Sequence, residues 1–122
     1  MAWAEHEFGA AQLGDKRRDR RLVSLAATMA QSPMHSIPTT CKGLGEATAA
    51  YRFFDQPTST ALAILEPHSQ ATIERAKGHP LVLCVQDTTE ADYTKKKKLE
   101  GSGPLSDQNR RGFFAHNHMP TF

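Results

Sequence analysis

The stretch "LGDKRRDRRL", Leu13 to Leu22, decides how the first half of this chain folds. Gly14-Asp15 opens a helix well, because an aspartate side chain can accept from the free backbone N–H groups of the first turn. Yet Arg17, Arg18, Arg20 and Arg21 crowd the two turns that follow. The N-terminus of a helix carries partial positive charge, so each cation there costs about 0.3–1 kcal/mol. Asp19 offsets part of that cost. A sequence that keeps four arginines at the repelling end either leaves them on a solvated face or brings them to an anion.

Outward from this block the helix continues. Leu22, Leu25, Ala26 and Met29 follow the i, i+3, i+4, i+7 spacing of one buried stripe. At about 100° per residue, Arg17, Arg20 and Arg21 fall on the opposite side. Arg18 stands one turn before Leu22, where its stem can pack while its head reaches out. "QSPMHSIPTT", Gln31 to Thr40, holds two prolines and reads as a loop. A second helix is predicted from Gly45 to Phe54, with Ala47, Ala50, Tyr51 and Phe54 on one face and "DQP" as its stop. "TSTALAILEPHSQATIERAKG" gives a third helical stretch. Thr58, Ser59 or Thr60 caps it, Gly78 ends it, and Pro67 kinks or restarts it. Residues 1–78 thus read as a compact three-helix domain.

The texture changes at Pro80. "LVLCVQD" is a short β-rich apolar run from Leu81 that ends in a carboxylate, Asp87. Ala91 to Thr94 can begin a second strand, Lys95 to Pro104 reads as a charged loop, and Gly112 to Met119 as a third strand. Residues 79–122 therefore read as a meander of strands. A three-stranded meander needs a covering layer, and no helix follows Met119, so either the N-terminal helices cover it or it is the opening of a truncated domain; the reading is the latter, in an α+β chain.

Composition fits this plan. The 122 residues are 39% hydrophobic, enough for a modest core, and the net charge is only +2. Charge is clustered in the arginine block, in Lys95 to Lys98 and in Arg110-Arg111, which points to a polyanionic partner. No apolar run approaches membrane-spanning length, and "MAWAEHEFGA" lacks the basic start and apolar centre of a signal peptide. Cys41 and Cys84 stand far apart and read as reduced thiols, so the expected location is the cytoplasm.

Three constellations bear on chemistry. The arginines, joined by Arg52 on the second helix, match the needs of a phosphate backbone, because guanidinium forks pair with phosphate oxygens. Asp87 by itself reads as a turn residue at a strand end; a metal-binding role would need further carboxylates beside it. His116 and His118 in "HNH" would share a face of a strand, but without nearby Cys, Asp or Glu they make a poor metal site.

Taken together, Trp3, Phe8, "AQLGDKRRDRRLVSLAA", "AAYRFFDQP", "LVLCVQDTTEADYT", "LEGSGPLSD" and "RRGFFAHNHM" resemble the N-terminal region of bacterial cut-and-paste DDE transposases. The group is the insertion-sequence-four family, whose best-known member is the transposase of transposon five. The resemblance implies a helical domain that binds double-stranded DNA at transposon inverted-repeat ends, followed by a ribonuclease-H-like catalytic domain using Mg²⁺ or Mn²⁺. It carries Arg17, Arg18, Arg21 and Arg52 over as DNA-contacting residues, and Asp87 as the first acid of the triad and a metal ligand. The second and third acids have no counterpart here. The expectation is therefore an end-binding fragment in DNA transposition that binds no metal tightly and does not cleave alone. Its partners are transposon-end DNA and a full-length transposase. The alternatives are a decayed remnant and one part of a split enzyme completed by another chain.

Overall fold

The computed structural model describes residues 2–95 and 99–121. Lys96, Lys97 and Lys98, most of the predicted lysine run, lie outside the described residues. The chain divides into two compact units, Met1–Arg75 and Ala76–Phe122.

The first unit is helical. Its elements are α1 (Ala2–Phe8), α2 (Lys16–Ala30), α3 (Ile37–Thr40), α4 (Leu44–Phe54) and α5 (Ala61–Lys77), the last running past the unit's edge. Helix α2 starts where the sequence places it. Asp15 is its N-cap, in extended conformation, and its carboxylate accepts from the Arg17 N–H at 2.7 Å. Asp19 reaches back to the Leu13 N–H at 2.9 Å. Gly14, at φ +82°, makes the turn between them, a conformation that costs glycine little.

The buried set of α2 is wider than one stripe. Leu22 and Leu25 join Ala11, Leu13, Ala50 and Phe53 in the main cluster, with Ile37, Cys41, Ala63 and Ile64 packed against it. Val23 and Ala27 bury on the other side against Ala4 of α1. Helix α1, absent from the sequence reading, explains the difference: α2 is covered from two sides, while Met29, placed in the predicted stripe, is exposed. On α4 the buried aromatic is Phe53, and Tyr51 and Phe54 are exposed, contrary to the predicted face. Phe53 and Phe54 meet edge to face at 5.2 Å, so one ring is core and the other lies over it.

Two further expectations change. Within the predicted Gln31–Thr40 loop, Ser36 and Pro38 start a single helical turn, α3. Helix α5 runs through Pro67 as one element, with no restart. Thr60 caps it, its hydroxyl accepting from the Ala63 N–H at 3.1 Å. The buried face of α5 is fixed to α1 by a polar clasp. Glu7, with a side chain 13% exposed, accepts from the Arg75 guanidinium and pairs with His68 Nδ1 at 2.6 Å, while the His68 ring stacks on Phe8.

In the second unit β1 (Leu83–Asp92) and β3 (Arg111–Thr121) form a long antiparallel pair, from Leu83 opposite Thr121 to Asp92 opposite Gly112. The short β2 (Gly103–Pro104) pairs with the start of β3. The order is β1-β3-β2, so the predicted meander is corrected: β3 is central. The two predicted runs, Leu81–Asp87 and Ala91–Thr94, are one strand in the main, because "DTTE" extends β1 rather than turning. Its polar, turn-forming residues stay extended since β3 offers a partner along the whole length. Gly112 allows the close approach of these strands; a Cβ there would stand 1.9 Å from the Ala91 carbonyl oxygen.

Candidate nucleic-acid interface

The site grows from the local chemistry of two helix ends. The Asp15 cap fixes the first turn of α2 and with it the directions of Arg17, Arg18 and Arg21. Asp15 also answers part of the repulsion between those arginines and the helix end. Its carboxyl is held below the usual range, first by the hydrogen bond from the Arg17 N–H and then by the charges of Arg17 and Arg18. Arg52 lies in the last turn of α4, where the carbonyl end of the helix favours a cation.

These two places face one another across a groove of about 730 Å³. Arg17, Arg18, Arg21 and Arg52 all line it, with Leu44, Thr48, Ala49, Phe53 and Gln56 from α4 and its C-terminal turn, and Asp15 as the one carboxylate. Buried Phe53 ties the α4 wall to the hydrophobic core. Four guanidinium groups against a single carboxylate make a strongly positive groove in a chain of net charge +2. Arg17 is almost fully exposed and 3.7 Å from Asp15, while Arg18 is half-buried and donates to the Thr58 hydroxyl. Arg20, the remaining arginine of the sequence block, is exposed and outside the lining.

All four arginines named from the sequence thus stand around one groove. Leu44, Thr48, Gln56 and Thr58 were missed. Leu44 carried no signal of exposure in the sequence: it precedes the predicted helix and stands three and seven positions before Ala47 and Tyr51, on the face read as buried, yet its exposure is 85%.

Residues 1–58 match the transposase DNA-binding family. The matched segment contains every arginine of the groove and most of the helical unit. The N-terminal part of the chain is therefore similar to transposase DNA-binding domains, and the arginines of the positive groove lie within that part. The strands lie outside the match.

Asp87 stands apart from this groove in the sequence and in chemistry. It lies in the middle of β1, not at its end, and is exposed rather than held at the rim of a buried sheet. Its Oδ1 accepts from the Thr88 N–H at 2.8 Å. The register sets it opposite Asn117, while Glu90 and Asp92, three and five positions on, fall on the other face. That other face is polar: Thr88 meets His116 Nδ1 at 2.6 Å, and Gln86 and Cys84 approach His118 Nδ1 at 3.2 and 3.8 Å. His116 and His118 do share a face, their rings 5.0 Å apart. Among the described residues no group of three His, Cys, Asp or Glu side chains is placed to hold a metal ion, and no helix is long and apolar enough to cross a membrane.

At the Asp92 end of the sheet a separate polar cluster closes the β2–β3 turn. Arg110 bridges Glu90 at 2.8 Å and Asp92 at 2.9 Å. Asp92 is driven down to about 2, chiefly by the Thr94 hydroxyl and N–H and then by Arg110. Each of these charges is answered within the cluster, which makes it a structural clasp.

Proposed function

We propose that the helical unit binds double-stranded DNA at transposon inverted-repeat ends, with Arg17, Arg18, Arg21 and Arg52 contacting the duplex. The observation that carries this reading is their convergence on one groove within the segment matching a transposase DNA-binding family. Guanidinium forks pair with phosphate oxygens and with the edge of guanine, so such a groove can both hold a backbone and read a base. Thr48 and Gln56 add neutral hydrogen-bonding groups, and Leu44 an apolar contact suited to a thymine methyl group. Bound phosphates relieve the repulsion among arginines at the start of α2, which is why the sequence tolerates them there.

In the finer reading the chain is the N-terminal part of an insertion-sequence-four transposase, and its strands open a ribonuclease-H-like fold with Asp87 as first acid. Mg²⁺ or Mn²⁺ chemistry would need further carboxylates beside Asp87. The residues present do not fit such a site: Asn117 shares its face, and Glu90 and Asp92 do not. No cleavage step is assigned to this chain, and its role in transposition is binding the DNA end, alone or beside a full-length transposase.

The test is fluorescence anisotropy with a labelled duplex carrying the terminal inverted repeat, against a scrambled duplex, over a salt series. The terminal duplex should bind more tightly at every salt concentration, and Arg17→Glu and Arg52→Glu should each weaken it and lower the salt slope by about one unit or more. Asp87→Ala should leave binding unchanged. Equal binding of both duplexes would contradict end recognition, and full affinity in both charge-reversal variants would contradict the groove.

A further inference from the structure

Among the four groove arginines, Arg18 differs in being half-buried and in having a partner far along the chain. Its guanidinium donates to the Thr58 hydroxyl, forty positions away. Arg17, Arg21 and Arg52 are exposed. A free arginine side chain loses substantial rotamer freedom when it binds, and that loss subtracts directly from affinity. An arginine already held toward its target escapes part of it.

Thr58 is well placed to hold it. The segment after α4 turns back on itself through the Gln56 N–H to the Phe53 carbonyl at 3.3 Å and the Ser59 N–H to the Gln56 carbonyl at 2.9 Å. Phe53 is in the core and Ser59 is buried, so both ends of this turn are anchored while Thr58 between them is exposed. The turn also carries Gln56 into the groove wall. A hydroxyl on so fixed a support can direct an arginine on another helix; a hydroxyl on a free loop could not.

We propose that Thr58 is a positioning residue for DNA binding: its hydroxyl accepts one guanidinium N–H of Arg18 and aims the remaining donors at the DNA. This rests on the reading of the groove as a DNA site. Thr58 then contributes to affinity only through Arg18. It adds no charge, so its loss changes affinity without the change in net charge that accompanies loss of an arginine.

A double-mutant cycle on the full chain tests this, read by anisotropy with the terminal-repeat duplex and by the thermal melting point of each variant. Thr58→Val, which keeps the shape and removes the hydroxyl, should weaken binding about 3- to 10-fold at an unchanged melting point. Thr58→Ser should restore the affinity. In an Arg18→Ala background, which itself should bind about tenfold more weakly or worse, Thr58→Val should cause no further loss. Should Thr58→Val melt early, Thr58→Ala and Thr58→Ser at a temperature well below both transitions replace it in the cycle. Full affinity in Thr58→Val, or a loss of the same size with and without Arg18, overturns the positioning role and leaves the groove reading standing. Full affinity in Arg18→Ala overturns both for this arginine, and full affinity when Arg17 and Arg52 are also reversed overturns the DNA site itself.

Discussion

The two units bury their side chains very differently. In the helical unit Leu13, Leu22, Leu25, Ala50 and Phe53 are enclosed, and Ala4, Val23 and Ala27 form a second enclosed patch. In the strand unit, the described apolar residues of the β1–β3 pair stay open: Leu83, Val85, Phe113, Phe114 and Met119 are all exposed. Helices close a core with few residues because each one presents a stripe to several neighbours. An antiparallel pair holds itself by its backbone ladder and leaves each face in need of a cover. The side-chain burial that stabilises this chain is concentrated in the unit that also carries the arginine groove.

The sharpest way to break the comparison is to truncate one large side chain in each unit. Leu13→Ala removes a side chain with no exposed surface and should cost about 2–5 kcal/mol, read as an earlier loss of helical circular dichroism in urea. Leu83→Ala, more than half exposed, should stay within about 0.5 kcal/mol. Equal effects would mean that the strands are buried in solution.

A smaller effect tests the polar clasp of α1 and α5. Arg75→Ala leaves Glu7 enclosed without its main partner and should cost about 1–3 kcal/mol. Burial acts to raise the Glu7 pKa, but the hydrogen bonds and charges of Arg75 and His68 outweigh it, and the net shift is downward from 4.5. A carboxylate depressed in the folded state contributes stability that is present above its ordinary value and lost as pH falls through the folded one. The protein should therefore lose helical stability on acidification below about pH 4.5, and Glu7→Gln should flatten that limb. An unchanged acid limb in Glu7→Gln would place the acid sensitivity elsewhere.

The smallest effect belongs to the strand unit. The Asp92 carboxyl should titrate near 2 by NMR, and Thr94→Val should move it back toward 3.8, since the Thr94 hydroxyl is the leading cause. The associated stability is present above pH 3.8 and fades toward pH 2. A carboxyl that titrates at 3.8 in the intact protein would mean that the Thr94 and Arg110 contacts are not kept in solution.

How far the sequence could be read follows the same division. Asp15 and the 3.6-residue period placed α2, and the arginine block drew notice because its oddity is local: cations at the wrong end of a helix. That oddity did not separate Arg21 from Arg20 or reach Arg52, at the favourable end of α4; the family resemblance marked Arg21 and Arg52 as contacts. What escaped was set by partners distant along the chain. Val23 and Ala27 are buried because of α1, a seven-residue helix too short to signal itself. Phe53 rather than Phe54 is core, a choice that adjacent identical residues do not reveal. The Glu7 clasp joins residues 61 and 68 positions apart, and the Thr58 contact spans 40. In the strands, "DTT" looks like a turn and stays extended only because β3 lies alongside. That pairing moved Asp87 from a strand end to the middle of an exposed ladder.

The central claim is that DNA binding belongs to the groove and not to basic charge in general. Arg20 and Arg21 are neighbours on α2 with the same charge, both exposed, and only Arg21 lines the groove. The most direct measurement compares Arg20→Glu with Arg21→Glu, identical in net charge, for affinity to the terminal-repeat duplex at physiological salt. The groove account predicts a loss of more than about tenfold for Arg21→Glu, and for Arg20→Glu a loss within about threefold, because salt screens a charge that makes no contact. Equal losses in the two variants would contradict it.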